Sequence, residues 1–504
     1  MTEKYVDKII KARVYDVAKE TALEQAPGLS RRLGCNVYLK REDTQPVFSF
    51  KVRGAYNKIS QLSQAERDKG VIAASAGNHA QGVALVANKL GIKATIVMPR
   101  TTPSIKIESV RNYGARIVLH GDTYDEAYGH CLELIEKQGL SFIHPFDDPD
   151  VIAGQGTVAM EILHQCSEDI DVVFVPVGGG GLIAGVSAYI KHVRPEIKVV
   201  GVEPEDAASM QQALKNGERV VLDQVGIFAD GVAVRQVGQE PFRIARACVD
   251  DMVLVSTDEI CAAIKDIFDD TRCVMEPAGA LAVAGMKKYQ HQHGLRHQCL
   301  VAINSGANIN FDRLRHVAER SELGEQREAL LAVTIAEEPG SFRKFCKTIG
   351  HRGITEFNYR YADDSEAHIF AGIQLSGGHQ EKLELLAHLT ESGYSVVDMT
   401  DNEMAKLHIR YMVGGHAKGA KNELVYRFQF PERPGALLRF LTQMGQDWNI
   451  SMFHYRNHGA DYGRVLVGIQ VTEQDRDKFE LFLQHLGYEY WLEQDNQAYS
   501  LFLG

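Results

Sequence analysis

Between Val71 and Asn310 the sequence alternates short runs of apolar, mostly β-branched residues with stretches of helical periodicity. The runs with the length and composition of buried strands are Val71–Ser75, Ala94–Met98, Ala115–Leu119, Val172–Val177, Val199–Val202, Met252–Val255 and Leu300–Asn304. Strands that are apolar throughout and alternate with helices are typical of a parallel sheet covered on both faces. The pattern therefore predicts an α/β domain, in which ligands bind at the carboxyl ends of the strands.

The composition fits a soluble globular protein with several domains. The chain has 504 residues, of which 45% are hydrophobic and 24% charged, and its net charge of −11 argues against nucleic acid as a partner, because phosphate binding needs a basic face. No apolar run reaches the roughly 20 residues of a membrane span, and Met1 to Lys11 does not resemble a secretory signal. The 8 cysteines form no C-x-x-C pair, so we expect reduced thiols and a cytoplasmic protein.

Beyond about Phe311 the pattern changes, and after a charged helical connector the chain contains an internal repeat. The first copy contains LLAVTIAEEPGSFRKF, ITEFNYRY and IFAGIQLS, and the second contains ELVYRFQFPERPGALLRF, ISMFHYRN and VLVGIQVT. Pro339-Gly340, Phe357 and Tyr359 in the first copy match Pro434-Gly435, Phe453 and Tyr455 in the second. Each copy has the strand and helix order of a ferredoxin-like α+β unit. The repeat predicts a ligand-sensing module, and the alternative is a module that serves only oligomerisation.

The first motif that carries chemistry is Ser49-Phe50-Lys51, within VFSFKVRGAY. Lys51 stands among aromatic and apolar residues, and a lysine removed from water loses basicity and can act as a Schiff-base nucleophile. Most lysines lie on the solvated surface, so an ordinary surface lysine is the alternative interpretation.

Two further motifs join a predicted strand to a helix. In Ser75-Ala76-Gly77-Asn78-His79-Ala80-Gln81-Gly82, small residues allow a ligand to approach the backbone, and Asn78 supplies a donor and an acceptor. The alternative is a tight turn with Asn78 as the helix N-cap. In Gly178-Gly179-Gly180-Gly181-Leu182 the amides are free to face one anion at a helix N-terminus, and a flexible turn is the alternative.

Two weaker motifs lie near the end of the same domain. Asn304-Ser305-Gly306-Ala307-Asn308 follows the last strand, where Ser305 could present its hydroxyl to the same crevice. Glu276-Pro277-Ala278-Gly279-Ala280 sets a carboxylate beside small residues. A turn and a helix start, respectively, explain these motifs equally well.

In this order, S-F-K-x-R-G-A, S-A-G-N-H-A-Q-G, G-G-G-G-L and S-G-A-N resemble the threonine dehydratase branch of the fold type II pyridoxal-phosphate (PLP) enzymes, whose catalytic domain is similar to the tryptophan synthase β subunit. The resemblance covers Ala12 to about Phe311, and the repeat resembles paired ACT-like domains. The combination is similar to the biosynthetic threonine deaminases (threonine ammonia-lyases). It implies a catalytic domain at 1–320 and ACT-like regulatory domains at 329–400 and 422–494.

The resemblance also implies roles for the matching positions. Lys51 would bind pyridoxal 5'-phosphate as a Schiff base and, with Ser75, would be catalytic. Phe50 would pack beside the cofactor ring, Asn78 would bond its phenolic oxygen, and Ser305 would meet its pyridine nitrogen. The phosphate would bind the backbone amides of Gly178, Gly179, Gly180, Gly181 and Leu182. The substrate carboxylate would bind the loop formed by Ser75, Ala76, Gly77, Asn78 and His79.

The implied reaction is the deamination of L-threonine to 2-oxobutanoate and ammonia, the committed step of isoleucine biosynthesis. Isoleucine would inhibit a homotetramer by feedback, and valine would oppose it. Some relatives bind a cation near the position of Glu203, but the sequence has no complete ligand set there, so no metal is expected. The nearest alternative is a serine-directed PLP dehydratase or racemase, and the alternative from another class is a non-catalytic amino-acid sensor that retains PLP.

Overall fold

The computed structural model describes residues 2–336, 341–350, 352–359, 366–411, 421–431, 440, 443–444, 448–456 and 462–503. The chain divides into two compact units, Met1–Ser321 and Glu322–Gly504. Among the described residues no helix is both long enough and apolar enough to cross a lipid bilayer.

The larger sheet of the first unit is built from β1 (Leu23–Gln25), β2 (Asn36–Arg41), β7 (Val172–Pro176), β8 (Lys198–Pro204), β9 (Asp251–Val255) and β10 (Cys299–Asn304). Their order is β1-β2-β10-β7-β8-β9, and all neighbours are parallel except β1 and β2. Alternate residues of β7 face two separate hydrophobic clusters, with Phe174 in one and Val173 and Val175 in the other. The sheet is therefore buried on both faces, as its continuous apolar strands predict.

A smaller parallel sheet is built from β3 (Val71–Ala74), β4 (Ala94–Met98), β5 (Arg116–Leu119) and β6 (Ser141–Phe142), in the order β5-β4-β3-β6. The sequence pattern predicts one parallel sheet, whereas the structure divides these strands between two. Apolar runs identify strands but do not indicate which strands pair, so the division was not predicted.

Four helices of the first unit begin at the sequence motifs. Lys51 and Asn78 are the first residues of α3 and α5, Gly181 is the first of α9, and Pro277 is the first of α13. The helices from the N-terminus to the start of the second unit are α1 (Thr2–Ile10), α2 (Pro27–Leu33), α3 (Lys51–Ile59), α4 (Gln64–Lys69), α5 (Asn78–Lys89), α6 (Ser104–Arg111), α7 (Tyr124–Gln138), α8 (Pro149–Gln165), α9 (Gly181–Val193), α10 (Ser209–Asn216), α11 (Gln239–Cys248), α12 (Thr257–Thr271), α13 (Pro277–His293) and α14 (Arg313–Gly324), of which α14 spans the boundary between the units.

The second unit contains the two repeat copies. The first consists of β11 (Glu328–Ala336), α15 (Ser341–Ile349), β12 (Ile354–Tyr359), β13 (Glu366–Gln374), α16 (Gly378–Glu391) and β14 (Ser395–Asp398). The elements of the second include β15 (Glu423–Pro431), β16 (Asn449–Arg456), β17 (Tyr462–Gln470), α18 (Arg476–Leu486) and β18 (Glu489–Leu492). The antiparallel sheets have the matching orders β12-β13-β11-β14 and β16-β17-β15-β18, which confirms the ferredoxin-like prediction.

The repeat positions singled out in the sequence are only partly described. Phe357 and Tyr359 lie in β12, and Phe453 and Tyr455 lie in β16. Pro339-Gly340 and Pro434-Gly435 lie outside the described residues.

Each copy is followed by a short helix that the sequence pattern did not predict, α17 (Glu403–Leu407) and α19 (Gln497–Phe502). Asn402 and Asn496 cap these two helices, and their side chains hydrogen-bond to each other at 3.1 Å. The Phe502 ring packs edge-on to Phe370 of β13, with ring centroids 5.7 Å apart. The two copies therefore share a hydrophobic core within the second unit.

Candidate active site

Backbone contacts bring three of the sequence motifs together at the start of α3. The Phe50 amide donates to the Ser305 carbonyl at 3.2 Å, and Ser49 forms an isolated antiparallel bridge with Gly306. A Cβ added to Gly82 of α5 would lie 3.3 Å from the backbone carbon of Lys51, so a glycine is needed for α5 to approach α3 this closely. The motifs that contain Lys51, Asn78 and Ser305 thus line one region.

The segment Pro145-Phe146, which no sequence motif marked, connects Lys51 with the glycine loop (residues 178–182). Lys51 Nζ donates to the Pro145 carbonyl at 3.2 Å. A Cβ at Gly179 would overlap the Phe146 ring, and one at Gly181 would lie 3.0 Å from Phe146 Cα. The loop therefore packs against one side of Phe146 with no room for side chains.

Lys51 is held in a form suited to nucleophilic chemistry. Burial lowers its pKa to about 8, although the nearby Glu276 carboxylate acts in the opposite direction. The Phe50 ring centroid lies 5.2 Å from Lys51 Nζ, and Phe50 packs against the hydrophobic cluster on one face of the larger sheet. The apolar surroundings predicted from the sequence are present, and they favour the neutral amine.

The glycine loop presents amides that no other described residue uses as donors. Among the described residues, the backbone N–H groups of Gly178, Gly179, Gly180, Gly181 and Leu182 donate no hydrogen bond within the chain. Gly180 has φ +90° and precedes the first turn of α9. Free amides at a helix N-terminus suit a bound anion such as a phosphate.

The loop from Ser75 to His79 connects β3 to α5 beside Lys51. A Cβ added to Gly77 would meet nothing within 4 Å, so the backbone here faces open space. Ser75 Oγ accepts from the Gly77 amide at 3.3 Å, and Ala76 is partly buried. Burial, followed by the charge of Lys51, lowers the pKa of His79 to about 3, so His79 is neutral near neutral pH.

Asn78 does not cap α5, contrary to the alternative considered from the sequence, because Gly77 occupies the N-cap position. Its Nδ2 donates to Glu276 Oε1 at 2.5 Å, and its Oδ1 accepts from Asn308 Nδ2 at 2.7 Å. Both partners belong to motifs noted in the sequence, but no sequence signal indicated that either contacts Asn78.

Ser305 follows β10 and is buried. Its hydroxyl donates to the Ala278 carbonyl in the first turn of α13 at 3.2 Å. Glu203, considered as a cation ligand, instead accepts from the Met210 and Gln211 amides at 2.7 and 2.9 Å. Within the described part of the chain, no three His, Cys, Asp or Glu side chains group as metal ligands would.

The assembled residues fit PLP. Its aldehyde needs a neutral lysine amine, its phosphate needs several amides, and its ring needs an apolar neighbour with polar contacts at its edge. Lys51 supplies the amine, the glycine loop supplies the amides, and Phe50 is the apolar neighbour. Polar atoms in the same region come from Asn78 and Ser305.

Comparison with known proteins gives a consistent result over the whole chain. The family described as pyridoxal-phosphate dependent enzyme matches residues 14–306, and the C-terminal regulatory domain of threonine dehydratase matches residues 319–409 and 414–503. The biosynthetic L-threonine dehydratase IlvA of Burkholderia multivorans is 57% identical over 502 residues, which cover 99% of each chain.

Among the solved structures that match this chain are two threonine deaminases. Threonine deaminase isoform 2 from Solanum lycopersicum is 54% identical with a TM-score of 0.63, and the match covers 64% of this chain and 88% of that one. The threonine deaminase from T.th. is 38% identical with a TM-score of 0.57, and the match covers 61% of this chain and 98% of that one. On the two family matches and the full-length identity, this chain belongs to the threonine dehydratase family of PLP-dependent enzymes.

Proposed function

We propose that this protein is a threonine ammonia-lyase that converts L-threonine into 2-oxobutanoate and ammonia. The observation that carries the proposal is the combination of Lys51, whose pKa burial lowers to about 8, with a glycine loop whose amides are unused within the described chain. Membership of the threonine dehydratase family indicates threonine rather than serine as the main substrate.

The cofactor is PLP, as in the family. We assign the amides of Gly178, Gly179, Gly180, Gly181 and Leu182 to its phosphate and Phe50 to the face of its ring. Lys51 would hold its aldehyde carbon. Asn78 would donate to its phenolic oxygen, and Ser305 would meet its pyridine nitrogen.

PLP would supply an electron sink that acidifies the α-proton of the substrate. Lys51 Nζ would take that proton, and only a neutral amine can do so. The lowered pKa of Lys51 supports this role. Ser75 and the loop from Ala76 to His79 would receive the substrate carboxylate at the N-terminus of α5, where the helix dipole favours an anion.

Ser305 influences the choice of reaction. A carboxylate at the pyridine nitrogen would keep that atom protonated and would stabilise negative charge on the substrate for longer. The Ser305 hydroxyl is neutral and can donate to an unprotonated pyridine nitrogen once its single proton turns away from the Ala278 carbonyl, to which it donates at 3.2 Å. It therefore favours prompt loss of the β-hydroxyl over transamination.

The C-terminal module is assigned to feedback control, with isoleucine as inhibitor and valine as its opponent. The match to the regulatory domain of threonine dehydratase supports this assignment. We place the catalytic domain at 1–320 and the regulatory domains at 329–400 and 422–494, and the division of the chain after Ser321 supports the first boundary. We further propose that the protein is a homotetramer located in the cytoplasm.

The test is 2-oxo acid formation by the purified holoenzyme from threonine and from serine, with and without isoleucine. We expect faster turnover of threonine and inhibition by isoleucine. A preference for serine, or release of D-amino acid, would replace the proposal with the serine-directed alternative. Bound PLP without turnover of either amino acid would indicate a sensor instead.

A further inference from the structure

The side-chain amide of Asn78 is held at both ends. Its Nδ2 lies 2.5 Å from Glu276 Oε1, and its Oδ1 lies 2.7 Å from Asn308 Nδ2. Asn308 Nδ2 also donates to the carbonyl of Val47 at 2.8 Å. These contacts form a chain from a backbone carbonyl through two amides to a carboxyl group.

This series of hydrogen bonds determines which way the Asn78 amide faces. A backbone carbonyl only accepts, so the atom of Asn308 beside Val47 must be nitrogen. That nitrogen also faces Asn78, which must therefore present its oxygen there and its nitrogen to Glu276. Since Nδ2 carries two hydrogens, the bond to Glu276 leaves one N–H for a ligand.

The Glu276 side chain is committed to Asn78 rather than to its own helix. Glu276 occupies the N-cap position of α13 but makes no side-chain capping bond. It is only 5% exposed, and a Cβ at Gly306 would overlap its Oε1 atom. An ionisable group is costly to bury, so a carboxyl group at this position calls for a specific role. Burial, with the nearby Asp230 carboxylate, raises its pKa to about 7, and one carboxyl oxygen accepts a hydrogen bond in either protonation state.

We propose that Glu276 and Asn308 are positioning residues that fix the Asn78 amide with its free N–H toward the phenolic oxygen of PLP. The inference rests on the proposed function, which assigns Asn78 to that oxygen. A reversed amide would present its own oxygen to the phenolic oxygen, and two acceptors repel. Anchors on both sides of Asn78 prevent that reversal.

The test uses variants that act from the two ends of Asn78. Glu276→Leu removes the acceptor without leaving a large cavity, whereas Glu276→Gln keeps an oxygen that can accept from Nδ2. Asn308→Asp replaces the donor that faces Asn78 Oδ1 with a carboxylate, which favours the reversed amide. The control is Asp266→Asn, a buried carboxylate on α12 that accepts from Lys287 of α13 at 2.6 Å.

Each holoenzyme is examined for the wavelength of its visible PLP absorbance band and for the PLP dissociation constant. Loss of one aligned hydrogen bond should weaken PLP binding about 3- to 10-fold. We expect this loss, and the same shift of the band, in Glu276→Leu and Asn308→Asp. Glu276→Gln and Asp266→Asn should keep the wild-type band and affinity.

The result separates this inference from the proposed function. If the wild type deaminates threonine but Glu276→Leu and Asn308→Asp keep its band and affinity, the positioning role is wrong. An equal loss of affinity in all four variants, with no shift of the band, would also overturn it, because that pattern reflects general destabilisation. A wild type that neither binds PLP nor deaminates threonine would instead refute the proposed function.

Discussion

At the scale of single residues, the protonation of Lys51 controls both tasks proposed for it, because capture of PLP and removal of the α-proton each need the neutral amine. With a pKa of about 8, roughly one tenth of the amine is neutral at pH 7, compared with roughly one part in 3,000 at the ordinary value of about 10.5. Burial therefore provides several hundred times more of the reactive form.

We expect the rate at which the apoenzyme captures PLP to rise with pH, with a midpoint near the Lys51 pKa of about 8. The rise follows from the sign of the shift, since raising the pH through the pKa removes the proton from the amine. The growth of PLP absorbance in rapid mixing measures this rate. Lys51→Ala serves as the control and should capture no PLP covalently at any pH. A midpoint above 10 would show that burial does not act on this lysine.

Lys51, Asn78 and Ser305 could be recognised as candidates from the sequence because each lies in a short motif of consecutive residues. The structure brings all three into one region. Their individual roles stay predictions. Glu276 was noted without a role, because it lies 198 residues from Asn78 along the chain. A contact of that kind depends on the tertiary fold, and neither hydrophobic periodicity nor a local motif predicts it.

At the scale of the elements, a buried ionic network fixes α3 and therefore Lys51 at its start. Arg53 donates to Glu42 of the turn after β2 at 2.7 and 2.8 Å and to Glu161 of α8 at 2.5 and 2.9 Å. Lys40 of β2 pairs with the same Glu161 at 2.6 Å. These side chains are at most 3% exposed, so the helix, the strand and α8 are joined through charges shielded from water.

The same network explains why β2 was not predicted. The strand reads NVYLKR, and its last two charged residues break the apolar run by which the other strands were recognised. In the structure both are buried and paired, Lys40 with Glu161 and Arg41 with Asp43. A pattern based on hydrophobicity does not detect buried charged residues, whether the partner is close in sequence, as Asp43 is to Arg41, or distant, as Glu161 is from Lys40.

We expect Arg53→Leu to lower the free energy of unfolding of the first unit by about 3–5 kcal/mol, because it removes the guanidinium paired with the buried Glu42 carboxylate and leaves Glu161 paired with Lys40 alone. Urea denaturation followed by circular dichroism measures this loss. Arg194→Leu is the control, since Arg194 is 43% exposed in its ion pairs and ion pairs so exposed to water contribute little to stability. Equal effects of the two substitutions would contradict a stabilising role for the buried network.

The glycine loop supports a second prediction at this scale. A Cβ at Gly180 would lie 2.7 Å from Met210 Cε and 2.8 Å from Pro241 Cβ, at a φ of +90°. Gly180→Ala should therefore displace the amides and weaken PLP binding, at a strain of about 1–3 kcal/mol or roughly 5- to 150-fold in affinity. Gly217→Ala is the control, because Gly217 has φ +76° with nothing within 4 Å of its added Cβ. It should cost stability but leave PLP affinity unchanged, and equal PLP affinity in both variants would refute the phosphate assignment.

At the scale of the whole molecule, the internal repeat made the architecture of the second unit predictable, because two copies of one pattern confirm each other's strand and helix order. The helices α17 and α19 were not predicted, since they are short and follow the repeated pattern. Their capping residues Asn402 and Asn496 meet across the two copies. Such a contact between copies arises only when both are folded and packed together.

The last prediction concerns the connection between the two units. Truncation after Gly324 removes the regulatory copies and keeps α14 together with residues 14–306, which match the pyridoxal-phosphate dependent enzyme family. We expect the truncated enzyme to deaminate threonine without responding to isoleucine.

In the full chain, a coupling of about 1–3 kcal/mol corresponds to a change of roughly 5- to 150-fold in affinity, and reciprocity requires threonine analogues to weaken isoleucine binding by the same factor. Inhibition assays on both proteins, with calorimetric titration of isoleucine into the full chain, measure these quantities. If isoleucine inhibits the truncated enzyme with full potency, the effector site lies in the catalytic unit, and the C-terminal copies serve another purpose such as assembly.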